Sequence, residues 1–189
     1  MNNYKIVFMG TPDFGIPSLN ELYKQGYEVE AVYTQPDRVN KRGNKVQFSA
    51  VKQFALEHDI TIYQPNSLKD EKELDVLRAL NPDLIIVIAY GKILPQAVLD
   101  IPKYGVINVH ASLLPKYRGA APVQRSIIDG EETTGVTIMQ LDAGMDTGNI
   151  IEEKSVFITP HMTSEDLFDV LSNVGAKLLI DVLDDLPAK

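Results

Sequence analysis

The run Leu84-Ile-Ile-Val-Ile-Ala89 constrains the fold more than any other stretch of the chain. A strand with one face in water alternates apolar and polar residues, because successive side chains point to opposite faces. This run does not alternate, and it is too short for a membrane span. Apolar on both faces and rich in branched residues, it suits a central parallel strand covered by helices on either side.

The rest of the chain reads as company for such a strand. Lys5-Ile-Val-Phe-Met9 is a buried strand that leaves through Gly10, Thr11, Pro12 and Asp13. Leu19, Leu22 and Tyr23 fall at helical spacing within 17–25, with Gly26 as the terminating glycine. Further strands are expected at Val29–Thr34, Gly105–Val109, Gly135–Leu141 and Ile150–Val156. Helices are expected from Ser49, over Asp70–Leu80, over Pro122–Asp129 and over 164–186, with Ser49 and Ser164 as N-caps. The alternation predicts an α/β fold: a Rossmann-like, doubly wound, mostly parallel sheet.

At 189 residues this is one domain, 1–189, without internal repeats. The absence of cysteine removes thiol nucleophiles, thiolate metal sites and disulfides together. The three histidines, at 58, 110 and 161, are too scattered for a metal triad to be read from spacing, so no metal is expected. No secretory layout or membrane-length apolar run is present, so a cytoplasmic domain without membrane association is the expectation. A net charge of −8 argues against a generic nucleic-acid binder. The charge is uneven, however. Arg38, Lys41, Arg42 and Lys45 form a run without an acid, which reads either as a solvated loop or as a phosphate-contacting finger.

In doubly wound sheets ligands bind beyond the carboxyl ends of the strands. Gly10-Thr-Pro-Asp-Phe-Gly15 follows the first strand but lacks dinucleotide spacing, and no G-x-x-x-x-G-K-[ST] loop is present. Asn108 and His110 stand two apart at the end of a strand, hence on one face. An amide and an imidazole aimed at one point suit the stabilisation of an oxyanion in acyl transfer. Asp142 and Asp146 lie in the loop Leu141-Asp-Ala-Gly-Met-Asp-Thr-Gly148, where they either cap the turn or orient the histidine. No G-x-S-x-G elbow supplies a nucleophile, so direct transfer between two bound substrates fits best.

Asn108-Val-His-Ala-Ser-Leu-Leu-Pro-Lys-Tyr-Arg-Gly119 resembles the signature of the 10-formyltetrahydrofolate-dependent formyltransferases. Gly10–Phe14, Thr34-Gln-Pro-Asp-Arg38, Ala89-Tyr-Gly-Lys-Ile-Leu-Pro95 and Asp142–Gly148 match in order, so the likeness covers almost the whole chain. Within the family the basic loop, Gly119–Ser126 and Gly135–Gln140 are most similar to the catalytic domain of the methionyl-tRNA formyltransferases.

The resemblance implies transfer of a formyl group from 10-formyltetrahydrofolate to the α-amino group of methionyl initiator tRNA. It implies a catalytic trio of Asn108, His110 and Asp146, with Asp146 holding the imidazole and favouring its charged form. Folate contacts are implied at Tyr90, Lys92, Ile93 and Leu94, and at Ser112, Leu113, Leu114 and Pro115. The second group also reads as a rigid turn that positions His110. Arg42 is implied to read the acceptor stem of the tRNA, with Lys41 and Lys45 on phosphates. The family continues into a basic C-terminal tRNA-binding domain that this chain does not contain, and a monomer is expected. The alternatives are a formyltetrahydrofolate hydrolase, a formyltransferase for another acceptor, or a folate-binding fragment inactive without its partner domain.

Overall fold

The computed structural model describes residues 3–39, 43, 45–142 and 148–186. In its first half the chain runs through β1 (Lys5–Gly10), a 3-10 turn (Asp13–Gly15), α1 (Ile16–Lys24), β2 (Glu28–Tyr33), the short strands β3 (Arg38–Val39) and β4 (Val46–Gln47), α2 (Ala50–Glu57), β5 (Thr61–Tyr63) and α3 (Glu71–Leu80). The second half holds β6 (Leu84–Ile88), α4 (Gln96–Leu99), β7 (Val106–His110), α5 (Pro122–Ile128), β8 (Thr133–Gln140), β9 (Ile150–Phe157) and α6 (Ser164–Asp185). Among the described residues no helix is long and apolar enough to cross a membrane.

Seven strands form one sheet in the order β5-β2-β1-β6-β7-β8-β9, and β3 and β4 pair separately as an antiparallel hairpin. The strands from β5 to β7 are parallel, and β8 and β9 add antiparallel. All five residues of β6 are buried, as a strand between two helical layers requires. On one face Ile6, Phe8, Ile86, Ile107 and Val109 pack with α1 and α6. On the other, Val7, Met9, Ile85 and Val87 meet Leu74 and Leu77 of α3 and Val98 of α4. Helix α6 lies close over β7: a Cβ added at Gly175 would stand 3.2 Å from Val109 Cγ1.

The expected strands and helices form, with differences at their ends. The cap of α6 is Thr163 rather than Ser164. Its hydroxyl accepts from Asp166 N (3.1 Å), and the Asp166 carboxylate accepts from Thr163 N (3.0 Å), a reciprocal pair that Ser164 is one residue too late to make. The cap on α2 is Ser49, which accepts from Lys52 N at 3.0 Å. His58 is the C-cap of that helix; its Nδ1–H donates to Phe54 O (2.8 Å) and its ring stacks on Phe54. Strands β3, β4 and β5 and helix α4 are additional to the elements expected from sequence.

Candidate functional site

The chain winds outward from β1 through β2 to β5, then crosses back to place β6 on the other side of β1. The carboxyl ends of β1 and β6 therefore diverge, which is where such sheets leave a crevice. A cavity of about 630 Å³ occupies this position and extends across the end of β7. Pro12 and Phe14 line it after β1, Tyr90 to Leu94 after β6, and Asn108 and His110 on β7 itself. Phe168 of α6 closes one side, edge-on to Phe14 at 5.2 Å. Volume and lining, mostly apolar with a few convergent polar groups, are those of a small-molecule site.

The wall after β6 is held by its own backbone. Ala89 (φ 52°) and Gly91 (φ 85°) both adopt the left-handed conformation, which folds the chain back over the cavity. Between them the Tyr90 carbonyl accepts from Thr11 Oγ1 (2.9 Å) and Gln35 Nε2 (3.1 Å). A Cβ at Gly91 would also displace the end of the Gln35 side chain from its place beside the Tyr90 carbonyl. Lys92 Nζ donates to Asn66 O at 2.6 Å. Tyr90 is buried; its hydroxyl, without a hydrogen-bond partner among the described residues, is pushed up to about 12 by desolvation and stays protonated. Ile93, by contrast, is 80% exposed at the rim.

Asn108 sits opposite Val87 of β6 and Met139 of β8, two residues from His110 and on the same face, and each is only 8% exposed. His110 donates from Nε2 to the Tyr117 carbonyl, 2.7 Å away, since a carbonyl can only accept. The turn between them is knotted. Ser112 Oγ donates to Lys116 O (2.6 Å), while Thr137 Oγ1 donates to Ser112 O (2.6 Å) and accepts from Leu114 N (3.1 Å).

Tyr90, Lys92, Ile93 and Leu94 thus meet Asn108, His110 and Asp142 around one cavity. Ser112, Leu113, Leu114 and Pro115 are not among its lining residues; they form the turn behind His110. Asp146, Lys41 and Arg42 lie outside the described residues. Lys45 is exposed just before β4, in the hairpin that begins at Arg38. The root of that hairpin is tied to the body: Lys52 Nζ bonds Asp37 Oδ2 (2.7 Å) and Gln64 Oε1 (3.0 Å), and both partners hold the Asp37 carboxyl below its usual range. Phe14, Phe168, Gln35 and Thr11 were not singled out by sequence reasoning. Phe14 and Thr11 carry a local signal in the glycine-bounded turn after β1, and Gln35 in the Thr34–Arg38 motif; Phe168 reaches the site through the fold.

A family model described as formyl transferase matches residues 4–183. The chain belongs to the formyl transferase family. Among curated relatives, a methionyl-tRNA formyltransferase of Clostridium perfringens is 56% identical over 177 residues, 93% of this chain and 57% of the relative. Another, of Caldanaerobacter subterraneus subsp. tengcongensis, is 51% identical over 183 residues, 96% of this chain and 59% of the relative. The formyl transferase chain described here therefore spans less than three-fifths of the length of these relatives. Solved structures share the fold at low identity. Phosphoribosylglycinamide formyltransferase from Bacillus halodurans superposes with a TM-score of 0.80 at 24% identity, over 98% of this chain and 96% of that one. A formyltetrahydrofolate deformylase from Pseudomonas syringae pv. tomato does so at 0.75 and 22%, over 97% and 62%.

Proposed function

We propose that this domain transfers the formyl group of 10-formyltetrahydrofolate to the α-amino group of methionyl initiator tRNA. The observation that carries the reading is the pair Asn108 and His110, adjacent on one strand face at the polar end of an apolar cavity. Identities of 51% and 56% to methionyl-tRNA formyltransferases support this acceptor.

The apolar wall of Tyr90, Leu94 and Leu99 suits the flat pterin of the folate donor, which brings its formyl carbon toward β7. The amine attacks that carbon, a carbon–nitrogen bond forms, and the carbonyl oxygen takes up the electron pair. The Asn108 amide and a protonated His110 stabilise this oxygen. On collapse the bond to N10 of the folate breaks. The ammonium gives its proton to water, and N10 takes one up. Asp146 holds the imidazole and favours its charged form. Ser112 to Pro115 serve the donor through the turn that carries His110. The basic run with Lys41, Arg42 and Lys45 meets the acceptor stem, Arg42 reading it and the lysines on phosphates.

The test is label transfer from formyl-labelled 10-formyltetrahydrofolate in the presence of methionyl initiator tRNA. The reading expects label on the methionyl-tRNA and none on uncharged tRNA. Label released only as formate would replace it with hydrolysis.

A further inference from the structure

His110 is fixed by a contact that its neighbours in sequence do not explain. The carbonyl that accepts its Nε2–H belongs to Tyr117, a non-glycine residue held at φ 57°, in the left-handed region. Such a conformation persists only where the surroundings over-determine it. Here they do. The Tyr117 hydroxyl is forked between Asp129 Oδ2 (2.7 Å) and Glu131 Oε1 (3.0 Å), just beyond the end of α5. Lys116 Nζ, from the adjoining residue, pairs with the same Glu131 oxygen at 3.1 Å. The Arg125 guanidinium lies over the Tyr117 ring, 5.4 Å from its centroid, and Arg125 Nη2 donates to the Arg118 carbonyl at 2.8 Å. Side chain, ring and flanking backbone of Tyr117 are each fastened, so its carbonyl is a fixed point.

We propose that Tyr117 is the positioning residue for His110, acting through its main-chain carbonyl and anchored by Asp129 and Glu131. An acceptor at Nε2 selects the tautomer of the neutral ring with its proton on that nitrogen. It also sets the plane of the imidazole against Asn108. The two carboxylates push the Tyr117 hydroxyl above its ordinary range, so the O–H stays a donor across the working pH range. The kinetic part of this inference rests on the reading that His110 meets the reacting carbonyl. The positional part does not.

The experiment uses the chain as it stands, labelled with ¹⁵N-histidine. With three histidines in the sequence, His58 and His161 serve as internal references. Tyr117→Phe keeps ring and backbone but removes the anchor. The expected result is a single Nε2–H tautomer of neutral His110 in the unmodified chain and a mixture in Tyr117→Phe, with His58 and His161 unmoved. In parallel, kcat for formyl transfer falls about tenfold, the size of one lost charge-assisted hydrogen bond, while KM for the donor stays within about twofold. Asp129→Ala, at an exposed position, moves His110 the same way but less, because Glu131 remains. Added to Tyr117→Phe it does nothing further. An unchanged His110 spectrum in a folded Tyr117→Phe overturns the proposal, whatever happens to kcat. A shifted tautomer with no formyl transfer by either protein supports the positioning and counts against the reaction instead.

Discussion

Side chains at positions 108 and 110 share a face because β7 is extended, and they face the cavity because Ile107 and Val109, on either side of Asn108, are claimed by the core under α6. Asn108 lies on a strand held in place by these flanking core residues, so the fold does not depend on its amide alone. Asn108→Ala is expected to lower kcat on the order of 10²–10³, with the midpoint of thermal unfolding shifted by no more than a few degrees. Single-turnover transfer beside a melting curve checks both. Thr137 is the opposite case. Fully buried on β8, it donates to Ser112 O and accepts from Leu114 N. Thr137→Val keeps the shape but strands a buried carbonyl and a buried amide, a cost of about 2–4 kcal/mol. Urea unfolding should register that loss. A change below about 1 kcal/mol would mean the Ser112–Pro115 turn finds other partners.

At the level of elements, helix α6 carries the most readable energetics. Thr163→Ala removes the hydroxyl end of its capping pair and should cost about 1 kcal/mol in a urea melt. The Asp166 end titrates: donors from Thr163 hold its carboxyl below its ordinary value near 4. A carboxyl depressed in the folded state adds stability above the unfolded pKa, and that stability is lost as pH falls through the folded one. The melting difference between the natural chain and Asp166→Asn should thus be constant above about pH 5 and shrink toward about pH 3. A difference that grows on acidification would reverse the sign and discard the capping account.

These elements also mark what a sequence can carry. Strand β6 is legible because burial on both faces writes itself as an unbroken apolar run, and α2 and α3 because Ser49 and Asp70 supply caps where the apolar periodicity begins. Strand β5 has three residues, Thr61, Ile62 and Tyr63, too few for any period; only pairing with Ala31 to Tyr33 makes it a strand. The face shared by Asn108 and His110 follows from alternation alone. The Tyr117 contact does not, because it depends on a left-handed turn whose anchors, Asp129 and Glu131, come from beyond the next helix.

For the molecule as a whole, the proposed donor and acceptor would be held by different physics. The cavity proposed for the donor is built within this chain, from segments as distant as Phe14 and Phe168, and its wall is mostly apolar. Binding there should raise the melting temperature and be nearly insensitive to salt, with about 2.7 kcal/mol of added stability at a hundred times Kd. The proposed acceptor is a polyanion, and the chain carries a net charge of −8. The acid-free basic run Arg38, Lys41, Arg42 and Lys45 is the proposed source of attraction, while the acidic body opposes it. At most about four phosphates can be neutralised there, so log K should fall against log salt with a slope no steeper than about −4. The prediction is that a 10-formyltetrahydrofolate analogue stabilises the chain equally at 50 and 300 mM salt, to order of magnitude, while methionyl initiator tRNA binds weakly and only at the lower salt. Scanning fluorimetry with each ligand at both salts decides it. Tight, salt-resistant tRNA binding would show that the acceptor is held by contacts other than the basic hairpin, and the charge argument would fall with it.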